Sequence, residues 1–217
     1  MPRKPDVAAS RPGAEDAGGG KLVAPSASRN AAAVAQAMAR LLADVSDGAV
    51  LEIGSGTGQH AVACAAALPR LTWLPSDPDP AHLASIVAWT AEASAPNLAP
   101  PLAMDATEPW PETPAPLRAV YSANVIHIAP WTVAVGIVAG AAARLSPSGK
   151  LLFYGPFYDH GEAGDGNRAF DASLRARDPA WGVRDIRDLA ALASGHGFSF
   201  LRRLEMPANN LILVFER

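Results

Sequence analysis

The segment Val50-Leu51-Glu52-Ile53-Gly54-Ser55-Gly56-Thr57-Gly58-Gln59-His60 constrains this chain more than any other. An apolar run broken by one acid ends at three glycines on alternate positions, and an alanine-rich helical stretch follows at once. The pattern reads as a buried strand, a tight turn and a helix N-terminus. Glycine lets a ligand lie almost against the backbone, because no Cβ intervenes. The helix start offers free N–H groups to an anionic group. Roughly twenty residues on, a second apolar run, 71–75, leads to Ser76-Asp77, where a carboxylate can accept the hydroxyls of a ribose. A nucleotide-type ligand in an α/β fold is the expectation.

The glycine spacing is G-x-G-x-G, with Gln59 where a dinucleotide fingerprint has its third glycine. No lysine follows, so the segment is not a phosphate-cradling P-loop. Glu52, two residues before Gly54, repels a pyrophosphate and favours a ligand with an ammonium group. The E-x-G-x-G-x-G string resembles motif I of the class I S-adenosylmethionine-dependent methyltransferases. Their cofactor, S-adenosyl-L-methionine, carries an amino group, a carboxylate, a sulfonium and a ribose.

Apolar runs and helical stretches alternate along the chain. Strands are expected at 49–53, 71–75, 98–104, 118–123 and 150–154, and helices at 28–45, 58–68, 80–94 and 130–145. Such alternation argues for a parallel sheet with helices on both faces, and ligands then bind beyond the carboxyl ends of the strands. Glu52, Asp77, Asp105 and Asn124 all fall at those ends. Residues 155–184 break the pattern with a polar stretch that holds one short helix, 167–177, and read as a lid-like insertion. A helix at 185–194, with Asp185 as its N-cap, and two antiparallel strands at 198–205 and 210–216 close the chain. Residues 1–22, rich in Pro, Gly, Ala and charge, read as a disordered tail, which leaves a single domain over 23–217.

With 217 residues, 49% of them apolar, the chain can bury a sizeable core. A net charge of −3 argues against a nucleic-acid partner. The single Cys64 excludes an internal disulfide and a cysteine-based zinc site, and no metal is expected. No run of about 20 strongly apolar residues suggests a membrane span. The first residues lack the apolar core of a secretory signal, so a cytoplasmic protein is expected.

Longer strings narrow the resemblance. They are Ser28-Arg29-Asn30, Pro75-Ser76-Asp77-Pro78-Asp79, Asn124-Val125-Ile126-His127-Ile128-Ala129-Pro130-Trp131, Tyr154-Gly155-Pro156-Phe157, Asp178-Pro179-Ala180-Trp181-Gly182 and Met206-Pro207-Ala208-Asn209-Asn210-Leu211. Over residues 22–217 the chain resembles the DUF938 family, the methyltransferase-like protein 26 group. The resemblance implies a Rossmann-like class I methyltransferase fold: a seven-stranded, mostly parallel sheet with an antiparallel final strand and helices on both faces. It also implies that Gly54, Ser55, Gly56 and Gly58 form the turn under the methionine part of the cofactor. Glu52 and Asn124 would then lie near its amino group, Asp77 would take the ribose hydroxyls, and Asp105 with Ala106 would meet the adenine.

Several residues carry two readings. Asp77 and Asp79 around Pro78 also suit a turn and an N-cap, and Asp105 a strand-end turn. Ser28 or Asn30 suits a helix cap; alternatively this segment folds over the cofactor, with Arg29 pairing to its carboxylate. His127 either takes a proton from the nucleophile or packs beside the following helix. Tyr154, Tyr158, Arg175 and Trp181 are candidate substrate contacts, against core packing for Trp181 and solvation for Arg175. Asn209 and Asn210 read as turn residues. The expected activity is methyl transfer to a small-molecule acceptor. A non-catalytic binder of the cofactor is the alternative, and a nicotinamide-dependent oxidoreductase is disfavoured by Gln59 and Glu52.

Overall fold

A computed structural model describes residues 14–93, 95–113 and 115–217. In order along the chain come β1 (Glu15–Asp16), β2 (Leu22–Val23), α1 (Pro25–Leu41), β3 (Gly48–Ile53), α2 (Gln59–Ala67), β4 (Leu71–Asp77), α3 (Pro80–Glu92), β5 (Leu102–Ala103) and β6 (Leu117–Ala123). They are followed by α4 (Trp131–Arg144), β7 (Leu145–Gly155), β8 (Phe157–Tyr158), α5 (Asp165–Arg177), β9 (Arg184–Asp185), α6 (Ile186–Gly195), β10 (Ser199–Met206) and β11 (Asn210–Glu216).

Seven strands form one sheet in the order β10-β11-β7-β6-β3-β4-β5. Neighbours from β7 to β5 are parallel, and β11 runs antiparallel to both β7 and β10. This is the expected α/β architecture with its closing antiparallel hairpin. The chain steps outward from β3 through β4 to β5, then returns to β6 on the other side of β3. A crevice therefore opens between the carboxyl ends of β3 and β6.

Side chains alternate across a strand, and both faces of the sheet are covered. Leu51, Ile53, Leu151, Phe153, Leu213 and Phe215 pack against α4 and α6. Val50, Leu152, Tyr154, Ile212 and Val214 pack against α1 and α2. Glu52 has the parity of Val50, which turns its carboxylate to the α1 side.

Four elements differ from the sequence expectation. The supposed tail lies outside the described residues only over 1–13; from Glu15 the chain forms the β1–β2 hairpin. Leu22 N donates to Ser85 Oγ at 2.8 Å and Leu22 O accepts from Trp89 Nε1 at 2.9 Å, so the hairpin is bonded to α3. The first helix starts at Pro25, a residue suited to a first turn. Ser28 and Asn30 therefore lie inside it and cap nothing. It stops at Leu41, whose carbonyl accepts from the buried Lys150 Nζ at 2.9 Å. The strand expected at 98–104 shrinks to Leu102–Ala103 plus one bridge from Leu98 to Trp73, because Pro100 and Pro101 donate no ladder hydrogen bond. β7 is longer than the expected 150–154 and takes in Ser148 at φ 60°.

The segment 155–184 has its ends tied by the parallel β8–β9 pair, with α5 between them. Asp185 caps α6 as expected, accepting from Arg187 N at 2.9 Å. Among the described residues no helix is long and apolar enough to cross a membrane, and no group of three or more metal-ligating side chains occurs.

Candidate functional site

Gly54, Gly56 and Gly58 have φ of +67°, +57° and +93°, the left-handed region glycine enters freely. A Cβ on Gly54 would stand 2.5 Å from Val125 Cγ2, and one on Gly58 3.0 Å from the Ile86 backbone. The turn is thus pressed between the end of β6 and α3. It is pinned to β4 by Ser55 N donating to Ser76 O at 2.8 Å and Ser76 N donating to Ser55 Oγ at 3.1 Å.

Above this turn lies a cavity of about 690 Å³, lined by Glu52, Gly54, Ser55, Gly56 and Asn124 at the strand ends. Arg29 and Asn30 of α1 also line it. Glu52 is 1% exposed and accepts from Trp73 Nε1 at 2.8 Å. Burial pushes its carboxyl up to about 7, against the opposing hydrogen bonds from Trp73 and Ser55. A buried carboxylate so placed is stabilised by an arriving cation.

Gln59 links α1 to the glycine turn. Its Oε1 accepts from Ala24 N at 2.7 Å and from Thr57 Oγ1 at 2.9 Å, and its Nε2 donates to Ser28 Oγ at 2.7 Å. Asn30 adds a second tie, donating to Tyr154 Oη at 2.8 Å and accepting from His60 Nε2 at 2.7 Å. Burial holds the His60 ring down to about 4, so at neutral pH it is uncharged and donates this bond. These contacts place the first turns of α1, with Arg29, beside the glycines. Gln59 enters the sequence reading only as the residue that is not a third glycine; its anchoring role has no local sequence signature.

Asp77 is 1% exposed. Its Oδ2 accepts from Gly56 N at 2.9 Å, and its Oδ1 from Asp79 N at 3.0 Å and His82 Nδ1 at 3.1 Å. In this arrangement it braces the glycine turn. Asp79 caps α3, accepting from Ala81 N at 2.8 Å. Asp105 and Ala106 do not line the cavity: Asp105 Oδ1 accepts from Thr107 N and Oγ1 in a strand-end turn, and Ala106 O accepts from Trp110 Nε1 at 3.2 Å. Asn124 adopts φ +60° at the mouth of the crevice, its N–H donating to Tyr154 O at 2.8 Å.

His127, the candidate proton acceptor, is 0% exposed and does not line the cavity. Neither ring nitrogen has a hydrogen-bond partner among the described residues, and the ring meets Phe157 edge-on at 5.0 Å. Burial presses its pKa down to about 3. It sits in the core, with no face on the glycine-turn cavity. Because the folded value is depressed, its contribution to stability is present above the ordinary 6.5 and is lost as pH falls toward 3. His127→Leu is expected to remove about 2–3 kcal/mol of the stability lost between pH 7 and pH 4.5. Urea unfolding at the two pH values checks this, and equal losses in both proteins would contradict it.

The substrate candidates also separate. Tyr154 is buried and its hydroxyl is taken by Asn30. Tyr158 and Arg175 line a different cavity of about 840 Å³ between α5 and α6. Trp181 lines neither and lies under the Arg177 guanidinium, 5.6 Å away. α5 presents Gly166, Asn167, Phe170 and Arg177 to the glycine-turn cavity, joined by Asn209 and Asn210 from the last hairpin. Asn167 Nδ2 donates to Asn209 O at 3.1 Å, tying α5 to that hairpin.

The sequence of residues 21–217 matches the family described as a protein of unknown function, DUF938. The chain belongs to the DUF938 family. Solved structures share the family member's fold at low identity. An O-methyltransferase family 2 protein from Planctomyces limnophilus, in complex with apigenin, superposes with a TM-score of 0.74 at 18% identity, over 88% of this chain and 60% of that one. Human N-acetylserotonin methyltransferase in complex with SAM gives 0.69 at 17% identity, over 88% and 52%. The mitomycin 7-O-methyltransferase gives 0.67 at 21% identity, over 85% and 54%. The DUF938 chain thus spans little more than half the length of these enzymes.

Proposed function

We propose that this DUF938 protein is an S-adenosylmethionine-dependent methyltransferase acting on a small-molecule acceptor. The observation that carries the reading is the pairing of a left-handed glycine turn with a buried carboxylate, Glu52, on one cavity. The residues present fit the cofactor. A side chain at Gly54 or Gly58 would collide with Val125 or Ile86, so the turn keeps the close backbone approach that an adenosyl amino acid needs. Glu52 suits the ammonium group, and Arg29, which no acidic side chain engages among the described residues, suits the carboxylate. The fold shared with methyltransferases supports the same conclusion.

When bound, the cofactor supplies a methyl group already activated by a sulfonium. The chain's own contribution is to orient the acceptor for in-line attack and to keep water out. Asn124 at the crevice and Asn167, Phe170 and Arg177 from α5 close the space on the acceptor side. Base assistance matters only for a protonated nucleophile, and His127 is too deeply buried to give it. Incubation with methyl-labelled S-adenosylmethionine and a deproteinised cell extract is expected to yield labelled small molecules. Cofactor uptake without labelled product would favour a non-catalytic binder.

A further inference from the structure

The glycine-turn cavity holds more cationic than anionic side chains. Arg29 and Arg177 line it, and Glu52 is its sole carboxylate among the described residues. Among the described residues Arg177 donates only to the Ser173 carbonyl, at 3.3 Å, and lies over the Trp181 ring. The other two arginines of α5 are paired with acids, Arg168 with Asp165 and Arg175 with Asp171, and Arg184 nearby is held by the carbonyls of Ile126, Ala129 and Ala180. Among the described residues Arg177 therefore stands apart from the other arginines of α5 as a guanidinium with no acidic partner.

Residues 166, 170 and 177 share one face of α5, which is the cavity face. Phe170 is 39% exposed there, and Ile128 and Pro156 line the same space. An adenosyl amino acid brings one ammonium, matched by Glu52, and one carboxylate, matched by Arg29. Arg177 and the Phe170 strip are then left over.

We infer that the methyl acceptor has an apolar body, which rests on Phe170, and an anionic group, carboxylate or phosphate, which Arg177 holds from α5. A guanidinium favours such oxyanions through paired N–H donors. The inference rests on the methyltransferase reading and adds the acceptor's charge and its docking residue to it.

The test uses the full chain saturated with S-adenosylhomocysteine and three probes: benzoate, phenyl phosphate and neutral benzamide. One of the two anions is expected to bind about tenfold or more tightly than benzamide, the worth of a charge-assisted hydrogen bond. Preference for benzoate assigns a carboxylate, and preference for phenyl phosphate assigns a phosphate. Arg177→Gln, a change at an exposed position, should abolish that preference while leaving S-adenosylhomocysteine affinity within about twofold. Arg177→Lys should restore part of it, because a point charge keeps attraction but not the fork. Anions that bind no better than benzamide, or a preference that survives Arg177→Gln, would overturn the inference. Failure of S-adenosylhomocysteine itself to bind would instead remove the cofactor reading beneath it.

Discussion

Replacing Glu52 by glutamine should make the ligand-free protein more stable at pH 8 and weaken its hold on S-adenosylhomocysteine. The ordinary value of this carboxyl is 4.5, and burial raises it to about 7 in the fold. A raised carboxyl favours the folded state below 4.5 and gives that contribution up as pH rises through 7. By pH 8 the ionised group costs about 3 kcal/mol. Glu52→Gln removes the charge while keeping an oxygen for Trp73, so urea unfolding at pH 8 should report a gain of about 2–3 kcal/mol. The same change deletes the partner of the ligand's ammonium, and affinity should fall about tenfold or more. Wild-type affinity should also strengthen from pH 6 to pH 8, as Glu52 ionises, and this slope should flatten in the variant. A protein that is neither stabilised nor weakened in binding would show that Glu52 plays no part in the site.

Asp77→Ala is expected to destabilise the fold by about 3–5 kcal/mol, because three donors lose their acceptor at a cost of about 1–2 kcal/mol each. Gly56 N, Asp79 N and His82 Nδ1 all lose the buried carboxylate that accepts from them. Asp77→Asn retains one oxygen and should lose roughly half as much. The glycine turn loosens in both, so S-adenosylhomocysteine affinity should fall with stability. Denaturant unfolding and calorimetry on the same samples separate the effects. Lost stability with unchanged affinity would limit Asp77 to bracing, and native stability in Asp77→Ala would contradict the network.

The parts of this molecule that were legible in its sequence are those governed by local rules. Alternate glycines after an apolar run allow few backbones, and apolar runs alternating with helical stretches point to a parallel sheet with helices on both faces. The order of strand ends brought Glu52 and Asn124 to one crevice because a parallel sheet leaves no other place for them. What sequence could not supply was long-range pairing. Gln59 meets Ser28 and Ala24 from 31 and 35 positions away, and the β1–β2 hairpin is held by Ser85 and Trp89. Arg175 and Arg177 illustrate the limit on side-chain direction. They stand two residues apart on one helix, about 200° around its axis. One lines the cavity beside α6 and the other the glycine-turn cavity. Composition around them is the same; only the docking of α5 decides between them. Polar strand ends likewise do not tell a ligand contact from a turn, as Asp105 demonstrates.

The glycine turn and Glu52 together should accept an adenosyl amino acid. Isothermal titration of S-adenosylhomocysteine into folded protein at pH 8, beside a matched titration of NAD, decides whether they do. Saturable uptake of S-adenosylhomocysteine at a single site, with no heat from NAD, is the expected result. Uptake of NAD with none of S-adenosylhomocysteine, or of neither, would contradict it.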